Sequence, residues 1–180
     1  MTALDASRTA LVLVDLMERI VALPLAPRPG PEVLRAATDL AAAFRDAGAT
    51  VVAVRAERPG VAEQPPGSGL VDGVAEPGDL VVVKRTVGAF HGTGLHERLQ
   101  ERGIDTLVLA GIATNMGVES TARAAADHGY TLLFAEDATT ALTPEEHTAA
   151  VHYNLPRFGT VTTTGQLRSD LAGPAPTAAR

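Results

Sequence analysis

Apolar runs and amphipathic segments alternate along this chain of 180 residues. The run at residues 9–16 is nearly continuous in Val and Leu, a pattern typical of a strand buried on both faces of a parallel sheet. After it, apolar residues recur at helical spacing between Pro31 and Gly48, two residue types that favour the start and the end of a helix. The same alternation predicts further strands at 50–56, 79–85, 106–111, 131–137 and 159–164, and further helices at 94–103, 116–128 and 144–154. This order predicts an α/β fold, with a parallel sheet and helices on both of its faces.

Residues 57–78 break this alternation. Prolines and glycines recur throughout the segment and no helical or strand period is sustained, which predicts a long loop that leaves the end of a strand, where α/β sheets bind ligands. The length of the chain favours a single domain, which we expect to cover residues 1–170. The last stretch, residues 171–180, is predicted to be a disordered tail.

Composition narrows the classes of function. Aromatic residues make up only 3% of the chain and the net charge is −6, so we expect no nucleic-acid partner. No apolar window approaches the roughly 18 residues that span a bilayer, and the N-terminus lacks the pattern of a secretory signal. We therefore expect no membrane partner and a cytoplasmic protein. The sequence contains no Cys, which excludes disulfides, thiolate metal sites and thiol catalysis within it.

Two ionisable residues follow strands that are predicted to be buried. Asp15 comes after the apolar run 10–14, and Lys84 comes after the run 80–83. Because the carboxyl ends of parallel strands meet at one edge of a sheet, and because we take these strands to be adjacent, we expect the Asp15 carboxylate within hydrogen-bond reach of Lys84 as an acid–base pair. Each residue alone has a simpler interpretation: Asp15 as the cap of a turn, and Lys84 as a side chain that extends to solvent.

A turn at residues 111–117 joins a predicted strand to the helix predicted from about Met116. Gly111 permits a sharp change of direction, and the free N–H groups at a helix N-terminus can hold an oxyanion or a carboxylate. Gly117 costs a helix interior about 1 kcal/mol relative to Ala. It is either tolerated at the helix end or retained because a side chain there would block something.

Arg55, at the end of another predicted strand, can either clamp a substrate carboxylate or pair with Glu57 or Asp15. The histidines do not have the i, i+4 spacing that sets two metal ligands on one helix face. We therefore expect no metal site, and surface positions for all five: His91, His96, His128, His147 and His152.

Several stretches, taken in order, resemble the isochorismatase-like hydrolase superfamily, also called the cysteine hydrolases. They are LVLVDLMERI around Asp15, VVVKRTVGAFHGTGL around Lys84, GIDTLVLAGIATNMGVESTARAAADHGY through the turn, and EDATTALTPEEH and RFGTVTTTGQL after it. The resemblance covers about residues 8–168. It implies a Rossmann-like three-layer sandwich with a six-stranded parallel sheet of order 3-2-1-4-5-6, and it implies oligomers, so we expect a homo-oligomer, either a dimer or a tetramer.

The resemblance also implies a triad of Asp, Lys and Cys, in which Asp15 and Lys84 take the first two positions and Gly117 takes the third, leaving the nucleophile position vacant. It further implies a cis peptide bond between Ile112 and Ala113, with the N–H groups of Ala113 and Gly117 directed at an oxyanion. The nearby side chains that we expect to contact a substrate are Met17, Arg55, Phe90, Thr114, Asn115 and Met116.

True isochorismatases resemble this chain in lacking the nucleophilic Cys. In them an aspartate is thought to act as a general acid that protonates a vinyl ether, so that water completes hydrolysis and pyruvate is released. A buried carboxyl group can hold a proton near neutrality, although a neighbouring lysine opposes this. We therefore predict a cofactor-independent hydrolase that acts on a small-molecule substrate through Asp15 and Lys84. Two alternatives stay open: a small-molecule binding protein with a degenerate site, and a lyase or isomerase that uses Asp15 as acid and base.

Overall fold

The structure is a computed structural model that describes residues 3–172 of the chain. Six strands form one sheet in the order β3-β2-β1-β4-β5-β6, and every neighbouring pair is parallel. The strands are β1 (Thr9–Val14), β2 (Thr50–Ala56), β3 (Leu80–Lys84), β4 (Thr106–Ile112), β5 (Thr131–Thr140) and β6 (Thr160–Thr162). This topology confirms the predicted α/β fold and its strand order.

Helices cover both faces of the sheet. They are α1 (Glu18–Val21), α2 (Gly30–Asp46), α3 (Leu95–Gln100), α4 (Glu119–Asp127), α5 (Pro144–Ala149) and α6 (Thr164–Leu171). A π-helical turn (Thr114–Val118) leads into α4, and a second one (Ala150–Asn154) with a 3-10 turn (Leu155–Arg157) extends α5. Leu11 and Leu13 of β1 pack with α2 on one face, whereas Val12 and Val14 pack with α3 and α4 on the other. The alternation of side chains along a fully buried strand thus builds two cores.

Several elements differ from their predicted bounds. Strand β1 stops at Val14 because Asp15 has a φ of +54°, which lies outside the strand region. Strand β6 is shorter than predicted because the Thr163 hydroxyl caps α6, accepting the N–H of Gln166 at 3.2 Å. Helix α3 has only six residues, and the pattern of the sequence predicts neither α1 nor α6.

The segment at residues 57–78 contains no helix or strand, as predicted. It packs against the chain that follows β1, where the N–H of Arg19 donates to the carbonyl of Gly67 at 3.0 Å. Directly after the segment, Asp79, whose side chain is 7% exposed, forms an ion pair of 2.7 Å with Arg45 of α2. Of the predicted tail, only residues 171 and 172 belong to the described part of the chain, and residues 173–180 lie outside it.

Candidate active site

Asp15 and Lys84 meet at the carboxyl edge of the sheet. The Lys84 ammonium lies 2.7 Å from Asp15 Oδ2, and the two side chains are only 3% and 13% exposed. Lys84 Nζ also donates to the carbonyl of Val87. The structure confirms the predicted proximity but corrects one premise, because β2 lies between β1 and β3. The long lysine side chain spans the intervening strand.

The environment of Asp15 opposes the charge of its carboxylate. Burial raises the pKa of Asp15 and is the largest influence on it. The charge of Lys84, its hydrogen bond and, to a smaller extent, the charge of Arg19 lower that pKa. Asp15 Oδ1 is buried and accepts no hydrogen bond within residues 3–172. The backbone at Asp15 is left-handed, a conformation that Asp tolerates better than most residues and that places its side chain at the strand end.

Gly117 lies directly against this pair. A Cβ atom built on Gly117 would be 3.2 Å from Asp15 Oδ2, 3.4 Å from Lys84 Nζ and 2.9 Å from Val14 Cγ1. A side chain at position 117, where the resemblance puts the third member of the triad, would therefore project onto the Asp15–Lys84 ion pair.

Two further features fix the turn before Gly117. Gly111 has a φ of +117°, and a Cβ there would lie 2.1 Å from the carbonyl oxygen of Val14, so only glycine permits the close approach of β4 to β1. The peptide bond between Ile112 and Ala113 is cis, as the resemblance implies.

The hydroxyl of Thr121 joins the segments that follow β3 and β4. Thr121 Oγ1 donates to the carbonyl of Gly117 at 2.6 Å and accepts the N–H of Ala89 at 3.1 Å. The loop that follows Lys84 is thereby joined to the turn that carries Gly117.

These groups border a cavity of about 400 Å³. Its polar wall comes from Asp15, Lys84 and the backbone at 112–117, and most of the rest is apolar. Its full lining is Asp15, Ile20, Leu23, Leu25, Ala56, Lys84, Arg85, Thr86, Val87, Ile112, Ala113, Met116, Gly117 and Leu142. Four of these are large apolar side chains that are at least 40% exposed: Leu23, Val87, Met116 and Leu142.

Of the six predicted substrate contacts, only Met116 lines this cavity. Met17 is fully buried, and its sulfur accepts the N–H of Ala56 at 3.3 Å. Arg55 forms an ion pair of 2.8 Å with Glu57. This is the second of the two interpretations that the sequence left open for Arg55. Glu57 also pairs with Arg85, at 3.0 Å, so one carboxylate is shared by two arginines.

The other three predicted contacts also lie outside the cavity. Phe90 faces a second cavity of about 480 Å³ that His91, His96 and His128 also line. Thr114 is completely buried, and its hydroxyl contacts His147 at 2.9 Å. Asn115 is half-buried, and its Oδ1 has no hydrogen-bond partner among the described residues.

Sequence reasoning missed the buried position of His147. We expected all histidines at the surface, but His147 is only 4% exposed, so that expectation is wrong for it. The signal was the stretch Thr143 to Glu146, which forms a capping box and fixes the start of α5. Once that start is fixed, the helix turns His147 inward.

Metal-binding clusters and membrane-spanning helices were sought among the described residues. Among residues 3–172, no cluster of three or more His, Asp or Glu side chains is arranged to hold a metal ion. Nor does any helix in that range have the length and apolar character needed to cross a membrane.

Comparison with known proteins places this geometry in a family. The isochorismatase domain matches residues 9–166. The uncharacterized isochorismatase family protein YecD of Escherichia coli is 40% identical over 178 residues, which span 89% of this chain and 95% of that protein. The ureidoacrylate amidohydrolase RutB of Rhizobium rhizogenes is 39% identical over 105 residues, spanning 58% of this chain and 43% of that enzyme.

A solved structure agrees with the sequence matches. An isochorismatase family protein from Burkholderia thailandensis superposes with a TM-score of 0.86 at 33% identity, covering 96% of this chain and 100% of that one. The chain therefore belongs to the isochorismatase family of hydrolases.

Proposed function

We propose that this chain hydrolyses a small metabolite by acid–base catalysis through Asp15 and Lys84, without a covalent nucleophile. The observation that carries the proposal is the arrangement at Gly117. The position that faces the acid–base pair has no side chain, and the sequence has no Cys to supply a thiolate from elsewhere within it. We therefore assign the attack on the substrate to water.

The buried carboxyl group supports a role for Asp15 as general acid. Because burial raises its pKa, Asp15 holds a proton at a higher pH than an exposed aspartate does. Protonation of the unpartnered Oδ1 leaves the contact between Lys84 and Oδ2 in place, so the acid form does not require the pair to separate. General acids with raised pKa values suit substrates that must be protonated before water adds.

Lys84 completes the polar wall in this proposal. Its ammonium has three N–H groups, of which one faces Asp15 Oδ2 and one donates to the carbonyl of Val87. The third is available to a substrate or water oxygen. We propose that the N–H groups of Ala113 and Gly117 hold a negatively charged oxygen of the substrate, either a carboxylate or the oxyanion that forms from an amide.

An enolpyruvyl ether, which is a vinyl ether that carries a carboxylate, shows how the steps balance. Asp15 transfers its proton to the terminal alkene carbon, and the ether oxygen stabilises the resulting cation. Water adds to the cationic carbon, the hemiketal releases an alcohol and pyruvate, and the proton lost from water returns to Asp15. Because the RutB relative is named an amidohydrolase, amides are the second class of substrate to test.

A screen of purified protein tests the proposal directly. Isochorismate, chorismate and simple amides are supplied in turn, and release of pyruvate or ammonia is measured together with incorporation of ¹⁸O from labelled water. Turnover with ¹⁸O incorporation supports hydrolysis, turnover without it indicates a lyase or isomerase, and binding without turnover leaves a binding protein.

The Asp15→Asn variant then tests the role of the acid. We expect kcat to fall about 100-fold or more, the usual scale of general acid–base catalysis. Asp39→Asn, on the exposed face of α2, is the matched control and should keep native activity. Full activity of Asp15→Asn would contradict the proposed mechanism.

We also propose that copies of this chain assemble into a dimer or tetramer. The exposed apolar side chains at the cavity mouth, together with Tyr153 at 69% exposure, support this, since soluble monomers seldom expose large apolar patches. Light scattering on the eluting peak of a sizing column measures the assembly, and a mass of 18.6 kDa would contradict it.

A further inference from the structure

His147 contacts a polar group through each nitrogen of its ring. Nδ1 lies 2.9 Å from Thr114 Oγ1, and Nε2 lies 3.4 Å from a terminal nitrogen of Arg28. Thr114 is fully buried and begins the π-helical turn that ends one residue after Gly117. A buried histidine therefore holds the segment that forms one wall of the candidate active site, although it does not border the cavity itself.

The identity of its partners determines which nitrogen of His147 carries the proton. A guanidinium only donates hydrogen bonds, so Nε2 beside Arg28 must offer its lone pair. The ring is then neutral, and its proton is on Nδ1. Thr114 Oγ1 then accepts the hydrogen bond from Nδ1–H.

Arg28 is itself held in place. Its guanidinium pairs with the Glu136 carboxylate at 3.3 Å and donates to the Glu136 carbonyl at 3.3 Å. The backbone carbonyl of Arg28 accepts a hydrogen bond from the Thr140 hydroxyl at 2.8 Å, and the backbone N–H of Arg28 donates to Thr140 Oγ1 at 3.3 Å. With backbone and side chain both anchored to β5, Arg28 keeps a donor aimed at His147.

The surrounding charges favour the neutral ring. Burial lowers the pKa of His147, and Arg28 lowers it further; Glu136 acts in the opposite direction, and His152 adds a smaller lowering effect. A second proton, on Nε2, would point an N–H group at the Arg28 guanidinium. Protonation of His147 must therefore break one of the two contacts that the ring makes.

We infer that His147 is a positioning residue: in its neutral form with the proton on Nδ1, it holds the Thr114 hydroxyl and thereby fixes the backbone from Ala113 to Gly117. The inference rests on the proposed function only in taking this backbone to be part of the active site. His147 acts through Thr114 and not on the substrate. Arg28 selects the form of the ring that can do so.

Nuclear magnetic resonance tests the proton position without any assay of activity. Long-range ¹H–¹⁵N correlation spectra of the native protein at pH 7 should show His147 protonated on Nδ1. Arg28→Met should let the Nε2-protonated form appear, whereas Arg35→Met, on the exposed face of α2, should not. A native ring protonated on Nε2, or an unchanged ring in Arg28→Met, would overturn the inference.

Substitution of His147 tests the positioning role. His147→Leu should shift the amide signals of Ala113 and Gly117, and His147→Asn, which retains an N–H donor near the position of Nδ1, should restore most of them. If the leucine variant fails to fold, Thr114→Val and Thr114→Ser provide the same comparison. Amide signals that stay native in both His147→Leu and Thr114→Val would refute the role.

Turnover adds a readout once a substrate is known. Because His147 does not border the cavity, His147→Leu should lower kcat about tenfold or more through misplacement of the turn, with KM changed less than about twofold. A raised KM with native kcat would show that His147 acts on binding and would contradict the inference. If no substrate is found, the proposed function fails while the spectra still decide the role of His147.

Discussion

A cysteine introduced at position 117 would measure the local field of the candidate active site. The sequence contains no other cysteine, so the variant Gly117→Cys reports one thiol without background. Its Cβ would lie 2.9 Å from Val14 Cγ1, a contact that we expect to cost about 1–3 kcal/mol through overpacking. The companion change Val14→Ala removes that contact, so the thiol is best measured in both backgrounds.

The two charges of the pair act on this thiol in opposite directions. The Cβ would lie 3.2 Å from Asp15 Oδ2 and 3.4 Å from Lys84 Nζ. Since Coulomb energies vary as 332/(εr), these two contributions cancel to within about a tenth. With both residues charged, the thiol pKa should therefore stay close to its free value of about 8.5, apart from a lowering by the N–H groups of the turn.

Removal of one charge should expose the other. In Asp15→Asn/Gly117→Cys, the Lys84 ammonium stands alone, and at an effective dielectric constant of about 20 its field at 3.4 Å is worth about 5 kcal/mol, or about 3.6 pKa units. Water in the cavity weakens this field. We expect the thiol pKa to fall by at least about 1 unit relative to Gly117→Cys.

The pH dependence of alkylation gives both pKa values. Ala42→Cys, on the exposed face of α2, is the reference for an unperturbed thiol, and its pKa should not respond to Asp15→Asn. A thiol at position 117 that matches this reference and is equally unaffected by Asp15→Asn does not face the pair. The assignment of Gly117 to the nucleophile position would then be withdrawn.

Three further predictions concern the acid, the turn and the loop. Because burial raises the Asp15 pKa and the acid form is the active one, kcat/KM should fall as pH rises through that pKa, and a native profile without this fall would contradict the mechanism. Gly111→Ala should lower the free energy of unfolding, measured in urea, by more than about 3 kcal/mol. Gly48 also has a positive φ, but a Cβ built on it has no heavy atom within 4 Å, so Gly48→Ala should cost only about 1 kcal/mol. Equal losses would show that the 2.1 Å approach to β1 is unimportant. Asp79→Asn should cost about 1–3 kcal/mol in the same assay, since it removes a buried partner of Arg45, and an unchanged midpoint would show that the loop end is held otherwise.

The sequence was sufficient for the fold and for the centre of the candidate site. Fully apolar strands alternating with amphipathic helices predict a parallel sheet. Because the carboxyl ends of such strands share one edge, the sequence alone predicts that Asp15 and Lys84 lie close together. That β2 lies between their strands follows from the strand order that the family resemblance implies, and not from the apolar runs around Asp15 and Lys84, which led us to take the two strands as adjacent.

The walls of the cavity could not be predicted in the same way. Leu23, Val87 and Leu142 lie in loops with no helical or strand period, so nothing in the local pattern assigns them a direction. Thr114 and His147 are 33 residues apart, and their contact depends on how α5 is rotated against the turn. Phe90 was misplaced for a related reason: the glycine-rich loop after Lys84 directs it away from the pair, to the second cavity.

The sharing of Glu57 by two arginines has a consequence for the kinetics of encounter. Arg55 and Arg85 bring two positive charges to the carboxyl edge of the sheet and Glu57 neutralises one of them, so this cluster retains one positive charge where Arg85 borders the cavity. The chain as a whole carries a net charge of −6 and repels anions at long range. An anionic ligand is therefore attracted only within about one Debye length of the mouth, roughly 8 Å at physiological ionic strength. Added salt screens the distant repulsion before it screens this local attraction, so moderate salt should speed the association of an anionic ligand and leave that of a neutral one unchanged.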